Sequence, residues 1–339
     1  MKRLLCLLLT ALLLCACTAA PKEQTVYEAT FLELFDTVTV IRGGAESKEV
    51  FTQLSQEIRD QLEHYHRLFD IYHDYAGLNN LKTVNDQAGI APVAVDGEIL
   101  ALLKDCKTYF DASGGKVNVA MGSVLRLWHE ARTAGINDPI NAQLPNREEL
   151  EEAAQHTDFS QVILDEKNST VYLADPKMRL DVGAVAKGWA AQRVAEKAPK
   201  GLLLSVGGNI CATGPKTQSG APWVVGVQNP DDPNAFVHTL YVAGGSVVTS
   251  GDYQRTYAVE GTLYHHIIDP ATWMPGTLWR SVTVVCADSG AADMLSTALF
   301  LLPLEQGQAL LSAFDAQALW IDGSGNRYYS PGFEKYIRT

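Results

Sequence analysis

The sequence predicts an α+β domain of mixed, mostly antiparallel sheets with packed helices. Three observations lead there. Short apolar segments follow one another with only turn residues between them. Helical patterns are grouped in blocks instead of alternating one by one with strands. No G-x-G-x-x-G follows a first strand, so a dinucleotide-binding Rossmann unit is not supported.

The chain opens with Lys2 and Arg3, an apolar run from Leu4 to Ala16, and then a polar stretch with Pro21, Lys22 and Glu23. This is the pattern of a secretory signal over residues 1–16, too short for a comfortable membrane span. The run ends in Leu14-Cys15-Ala16-Cys17, which resembles a bacterial lipobox with Cys17 as the lipidated first residue. Residues 17–26 would then be a lipidated tether and 27–339 one domain, extracytoplasmic and lipid-anchored to a cell membrane. Acyl chains contribute about 0.8 kcal/mol per buried methylene, enough in combination to hold a soluble domain at a membrane face.

The first strand pattern, "ATFLELFDTVTVIRGG", is expected to turn at Gly43-Gly44. Ser47 can cap a long helix whose stripe runs through Val50, Leu54, Ile58, Leu62, Tyr65 and Phe69. Asp96 caps a second helix, stopped by Gly114-Gly115, and Asn146 with Glu149 reads as a capping box for a third. A hairpin turns around Glu166-Lys167, and "AVAKGWAAQRVAEKA" is helical. Strands then follow through "GLLLSV", "PWVVGVQ", "FVHTLYVA", "SVVTSG", "QRTYAVEGTLYHHII" and "RSVTVVCA". Helices begin at about Ala291 and Leu304, and a strand pair closes the chain around Asp322-Gly323.

Composition narrows the function. Losing residues 1–16 removes Lys2 and Arg3 and no acid, moving the formal net charge from −12 to −14. That argues against nucleic acid, which requires a basic surface. Any anionic ligand must be held by local groups or a metal. Of six cysteines, Cys6 and Cys15 leave with the signal and Cys17 takes lipid. Cys106, Cys211 and Cys286 form no even framework and are expected as buried free thiols.

Three segments carry chemistry. In "LDVGAVAKGWA" a strand end meets a helix start, so free N–H groups can face an anion, with Lys187 one turn in and Asp181 just before the turn. "VGGNI" suggests close backbone approach or a tight turn. Asp293 and Thr297 lie four apart on a predicted helix, a carboxylate and a hydroxyl on one face that suit a hard cation such as Mg²⁺. A threonine bonded back to its own helix is the alternative. In "YHHIIDP" strand alternation sends His265 and His266 to opposite faces, unlike a zinc pair on one strand face.

Taken in order, "LFDTVTV", "FDIYHDYAGLNNL", "GGKVNVAMGSVLRLWHEAR", "LDVGAVAKGWA", "VGGNI", "SGDYQRTY", "YHHIIDPAT" and "ADMLSTALF" resemble the ApbE family of FAD:protein FMN transferases, from about Phe31 onward. The resemblance implies a T-fold-like α+β domain. It implies cleavage of FAD, transfer of FMN through a phosphoester to a threonine or serine of an acceptor protein, and release of AMP. It places Mg²⁺ at Asp293, Thr297 and the Ala184 carbonyl. FAD contacts fall on Phe35, Tyr72, Lys116, Val117, Asn118, Asp181, Lys187 and Ile268. The family pattern H-x-I-D-P selects His266 as general base, and Asp269 is expected to shape the turn before Pro270 or orient its neighbours. Membership also implies redox-active membrane or extracytoplasmic proteins as acceptors. The chain departs from common family residues at Val117-Asn118, Gln254 and Trp273. Two rival readings are an FAD pyrophosphatase, in which water replaces the acceptor hydroxyl, and a non-catalytic FAD-binding lipoprotein.

Overall fold

A computed structural model describes residues 25–217 and 219–339. The signal sequence and Cys17 lie outside the described residues, as does the tether up to residue 24. Thr25 and Val26, read as tether, are already paired in the first strand.

Eight antiparallel strands form the main sheet. β1 (Thr25–Phe31) and β2 (Thr39–Ala45) stand at one edge, followed by β6 (Leu202–Val206), β7 (Asn209–Ala212), β10 (Gly245–Gly251), β13 (Ser281–Cys286), β14 (Gln317–Ile321) and β15 (Arg327–Tyr329). A second sheet of three takes β3 (Val93–Ala94), β5 (Thr170–Leu173) and β4 (Val162–Asp165). Two hairpins complete the strands, β8–β9 (Trp223–Asn229, Asp232–Val242) and β11–β12 (Tyr257–Val259, Thr262–Tyr264). The expected α+β architecture of mostly antiparallel sheets is therefore the one observed.

The main sheet is covered on both faces. On one, α1 (Lys48–Phe69), α6 (Ala186–Lys197) and α7 (Ser289–Phe300) bury Ile41, Leu204, Val248 and Val284. On the other, the β8–β9 hairpin packs Trp223, Val225 and Leu240 over Leu203, Val247 and Val285. Coverage of both faces explains why "SVTVVC" in β13 is buried at every residue and reads as a continuous apolar run instead of an alternating one. Four further helices are α2 (Leu81–Asp86), α3 (Gly97–Ala112), α4 (Gly122–Asn137) and α5 (Arg147–Ala154), with α8 (Leu304–Leu311) near the end. α4, α5 and the β11–β12 hairpin share a smaller core containing Trp128, Leu150 and Tyr257.

Local signals fared unevenly. Ser47 and Asp96 cap α1 and α3 as expected, and Gly114 and Gly115 end α3 with positive φ. Asn146 accepts from the Glu148 and Glu149 amides, one half of the anticipated box. Gly43 and Gly44 do not turn: they continue β2, and a Cβ on Gly43 would strike the Leu202 side chain. The chain reverses earlier, through a one-turn 3₁₀ helix at Leu34–Asp36. Val50 is 52 % exposed and Phe51 is buried in its place, so the α1 stripe is displaced by one residue at its start. Gly207 and Gly208 make a tight turn at positive φ, one of the two readings expected for "VGGNI", and Asn209–Ala212 form β7; α4 had not been read from its sequence. Cys106, Cys211 and Cys286 are free and buried. Among the described residues no helix is long and apolar enough to cross a membrane.

Candidate active site

One cavity of about 580 Å³ opens where β6, β7 and β10 end against the start of α6. Phe35, Tyr72, Lys116, Val117, Asn118, Asp181, Ala184, Lys187, His266, Ile268, Asp293 and Thr297 all border it, so every expected site residue within the described chain converges there.

The α6–α7 contact creates the oxygen-rich corner. Asp293 is buried on α7, and its Oδ2 accepts the Gly188 amide at 2.8 Å. Its other oxygen has no hydrogen-bond partner among the described residues. Thr297 stands one turn on. Among the described residues its hydroxyl has no bond back to the helix; Ser296 makes one instead, to the Asp293 carbonyl at 2.9 Å. Lys187 Nζ lies 3.9 Å from Asp293 Oδ2 and donates to the Gly183 carbonyl at 3.1 Å. An ammonium group drawn to these oxygens marks a place that favours a cation. The Asp293 carboxylate and the Thr297 hydroxyl, with Ala184 and its backbone carbonyl bordering the same cavity, offer an all-oxygen set that fits Mg²⁺. Among the described residues no cluster of three His, Cys, Asp or Glu side chains suggests a competing metal site.

Sequence reasoning overlooked Gly188, although an isolated glycine inside a helical pattern is a signal of close packing. A Cβ there would come 2.5 Å from Asp293 Cβ and closer still to the Ser289 carbonyl. Helix propensity alone favours alanine by about 1 kcal/mol. Gly188→Ala is nevertheless expected to lower stability by about 1–3 kcal/mol, because overpacking outweighs propensity. A thermal melt checks this; a melting temperature at or above the parent's would refute the close-approach reading.

The histidines differ from expectation in one respect. Both follow β12 in an irregular segment, and both border the cavity, so strand alternation does not separate them. Hydrogen bonding does. His265 Nε2 donates to the Gly276 carbonyl at 2.8 Å and Nδ1 accepts from the Ile267 amide at 3.2 Å, so both nitrogens are engaged. His266 Nδ1 faces the Gln254 carbonyl at 3.2 Å. A carbonyl only accepts, so Nδ1 carries the proton and Nε2 keeps a free lone pair. Burial, then the charges of Arg255 and Lys187, push the His266 imidazole down to about 3.

The opposite wall is built by Asp70. Its carboxylate accepts from the Tyr72 and His73 amides and from Tyr75 Oη. Burial alone would raise this carboxyl, but those bonds and one from the His73 ring hold it below the ordinary value. Tyr72 is thereby fixed beside His129, with ring centroids 5.3 Å apart and 30° between planes. Phe35 sits at φ 53, a strained value for an aromatic residue, with its amide donating to His66 Nδ1. Lys116 is paired with Asp269 at 2.8 and 3.0 Å, so Asp269 both holds this lysine and accepts the Ala271 amide in the turn. Asn118 donates to the Thr157 carbonyl while its Oδ1 accepts the Ala120 amide. A carboxylate could not make the first of these bonds, which accounts for an amide in this chain. Buried Asn209, from "GGNI", borders the cavity with an Nδ2 that has no partner among the described residues.

A fold that gathers cation-binding oxygens, an unprotonated imidazole and basic side chains around one cavity is that of an enzyme acting on a phosphate-bearing ligand. Comparison with known proteins identifies the lineage. The ApbE family pattern matches residues 24–320, and the chain belongs to that family. It is 39% identical over 254 residues to the FAD:protein FMN transferase of Treponema pallidum, covering 69% of this chain and 68% of that protein. To the enzyme of the same name from Klebsiella pneumoniae it is 32% identical over 255 residues, covering 72% and 76%. The crystal structure of the ApbE protein from Thermotoga maritima superposes with a TM-score of 0.80 at 29% identity, over 93% of this chain and all of that one. The flavin transferase ApbE from Vibrio cholerae shares the fold, with a TM-score of 0.76 at 22% identity over 92% and 99% of the two chains.

Proposed function

We propose that the protein is an FAD:protein FMN transferase that attaches FMN to a threonine or serine hydroxyl of an acceptor protein and releases AMP. The observation that carries this reading is one cavity holding both Asp293 with Thr297 and a histidine with a free Nε2. A protein that merely stored FAD would need neither.

In the proposed step the acceptor oxygen bonds to the phosphorus of the FMN half. The bridging P–O bond breaks and its electron pair leaves on AMP. His266 Nε2 takes the hydroxyl proton, while Gln254 holds the ring through Nδ1. Asp293, Thr297 and Ala184 would hold Mg²⁺, which when bound would neutralise phosphate charge. Asp181, whose Oδ1 accepts the Gly183 amide in the turn before α6, borders the cavity and would meet the ligand there. Tyr72, Phe35 and Ile268 supply apolar walls for flat rings.

The test is to incubate the mature protein with FAD, Mg²⁺ and a protein carrying an acceptor threonine. A mass gain of one FMN on the acceptor supports the transferase. Free FMN and AMP alone would mean a pyrophosphatase, and no turnover a carrier.

We also propose that Cys17 carries lipid and holds the domain at the outer face of a cell membrane. Few residues separate Cys17 from β1, so acceptors would be membrane or extracytoplasmic proteins close to that surface. Cys17→Ala should move the protein to the soluble fraction with its activity intact. Retention on membranes after a salt wash would refute the anchor.

A further inference from the structure

Two arginines of the cavity have no role in the step above. Arg132, on α4, and Arg255, in the loop between β10 and β11, both border it. Among the described residues neither has a carboxylate within 4 Å, unlike Arg280, which holds Asp231 and Asp252 at 2.8 and 2.6 Å. Arg132 donates from Nη2 to His129 Nδ1 at 3.0 Å, and His129 can accept because burial and Arg132 itself keep its imidazole below the ordinary value. Arg255 sits at φ 48, a left-handed backbone conformation uncommon for a non-glycine residue. The two are near enough for Arg255 to depress Arg132, which burial already disfavours. Two guanidinium groups that border one cavity, neither ion-paired within 4 Å among the described residues and with Asp181 acting on Arg132 only from farther off, are available to bind an anion.

Resting on the transferase reading, we propose that Arg132 and Arg255 form a subsite for the phosphate of the departing nucleotide, distinct from the corner of Asp293 and Lys187. The chemistry calls for such a group. As the bridging P–O bond breaks, its electron pair stays with AMP, so negative charge grows on the leaving phosphate. A bidentate guanidinium suits that charge, and its stabilisation counts most in the transition state. The same contacts would then bind free AMP as product.

The experiment titrates AMP and, separately, FMN into the wild-type domain and into Arg132→Gln, Arg255→Gln and Arg255→Lys by calorimetry, with no acceptor present. Each glutamine variant should weaken AMP by about 10- to 100-fold, the loss of a charged hydrogen bond. FMN affinity should stay within about threefold, the margin expected if these contacts are specific to the leaving phosphate. Arg255→Lys should recover part of the AMP affinity. Arg255 forms no ion pair among the described residues, so the melting temperature of its variants should hold, whereas Arg132→Gln also gives up the bond to His129. Unchanged AMP binding would overturn the subsite, as would equal losses for AMP and FMN, which would mean a diffuse field. A rise in acceptor KM with AMP binding intact would also overturn it, assigning the arginines to acceptor docking. AMP binding does not require turnover, so a protein that failed to transfer FMN yet bound AMP through these arginines would refute the transferase and leave the subsite standing.

Discussion

Asp293→Ala should reduce FMN transfer by about 10³-fold or more, since a bound metal supplies several kcal/mol of charge stabilisation and each 1.36 kcal/mol is tenfold in rate. Asp293 is the only carboxylate proposed to meet the cation, so its loss removes the principal charge from the site. The buried Gly188 amide would also lose its acceptor. Asp293→Asn separates the two effects: its oxygen can still accept from Gly188, but the amide is neutral. If Asp293 serves the metal, both variants lose activity and Mg²⁺ binding measured by calorimetry, while Asn melts close to the parent. EDTA should silence the parent, and Mg²⁺ should restore it. Full activity of Asp293→Asn at low Mg²⁺ would dismiss the metal assignment.

His266→Asn should slow transfer by about 10²–10⁴-fold, the usual cost of losing a general base, with FAD affinity nearly unchanged. His265→Asn should do something else. Both of its nitrogens are used inside the fold, so truncation should lower the melting temperature, by about 1–3 kcal/mol of stability for buried groups left unpaired, more than it slows the step. Melting temperature, FAD dissociation constant and single-turnover rate on the two variants distinguish these outcomes. A wild-type rate in His266→Asn would remove the base. The pH dependence follows from the depressed imidazole. An unfolded histidine takes a proton near 6.5, whereas His266 in the folded enzyme stays neutral down to about 3. Its contribution to stability is therefore fully present above about 6.5 and is lost as pH falls from there toward 3. In the free enzyme, kcat/KM should show no acidic limb near 6.5 from this group.

The sequence was most informative where a residue's local chemistry also fixes its structural role. Ser47, Asp96 and the Gly114-Gly115 pair act within one helical turn, and each does what its side chain or its freedom of φ dictates. Asp293 and Thr297 were legible as a pair because helical spacing alone puts them together. Features that depend on distant packing were not. Gly43 looks like a turn, and only the Leu202 side chain from β6 shows why it must be small. Arg132 is an ordinary basic residue until the fold brings Arg255 alongside. The "YHHIIDP" segment was read by strand alternation, but both histidines lie past β12 in an irregular stretch. His266 stands out because its partner is a single carbonyl, a fact of tertiary hydrogen bonding and not of strand periodicity.

β2 pairs locally with β1 but finds its second neighbour in β6, residues 39–43 against 202–206, and the cavity takes its walls from Phe35 to Thr297. Nearly the whole polypeptide must be present before the central sheet can close. Closing loops of that length is entropically slow, so assembly should be governed by long-range encounters and the cavity should be among the last parts to form. A chain ending before β13 would lack one of the two strands that β10 pairs with, and Asp293 and Thr297 as well. Partial synthesis would thus yield no half-active intermediate able to cleave flavin nucleotides before the fold is complete.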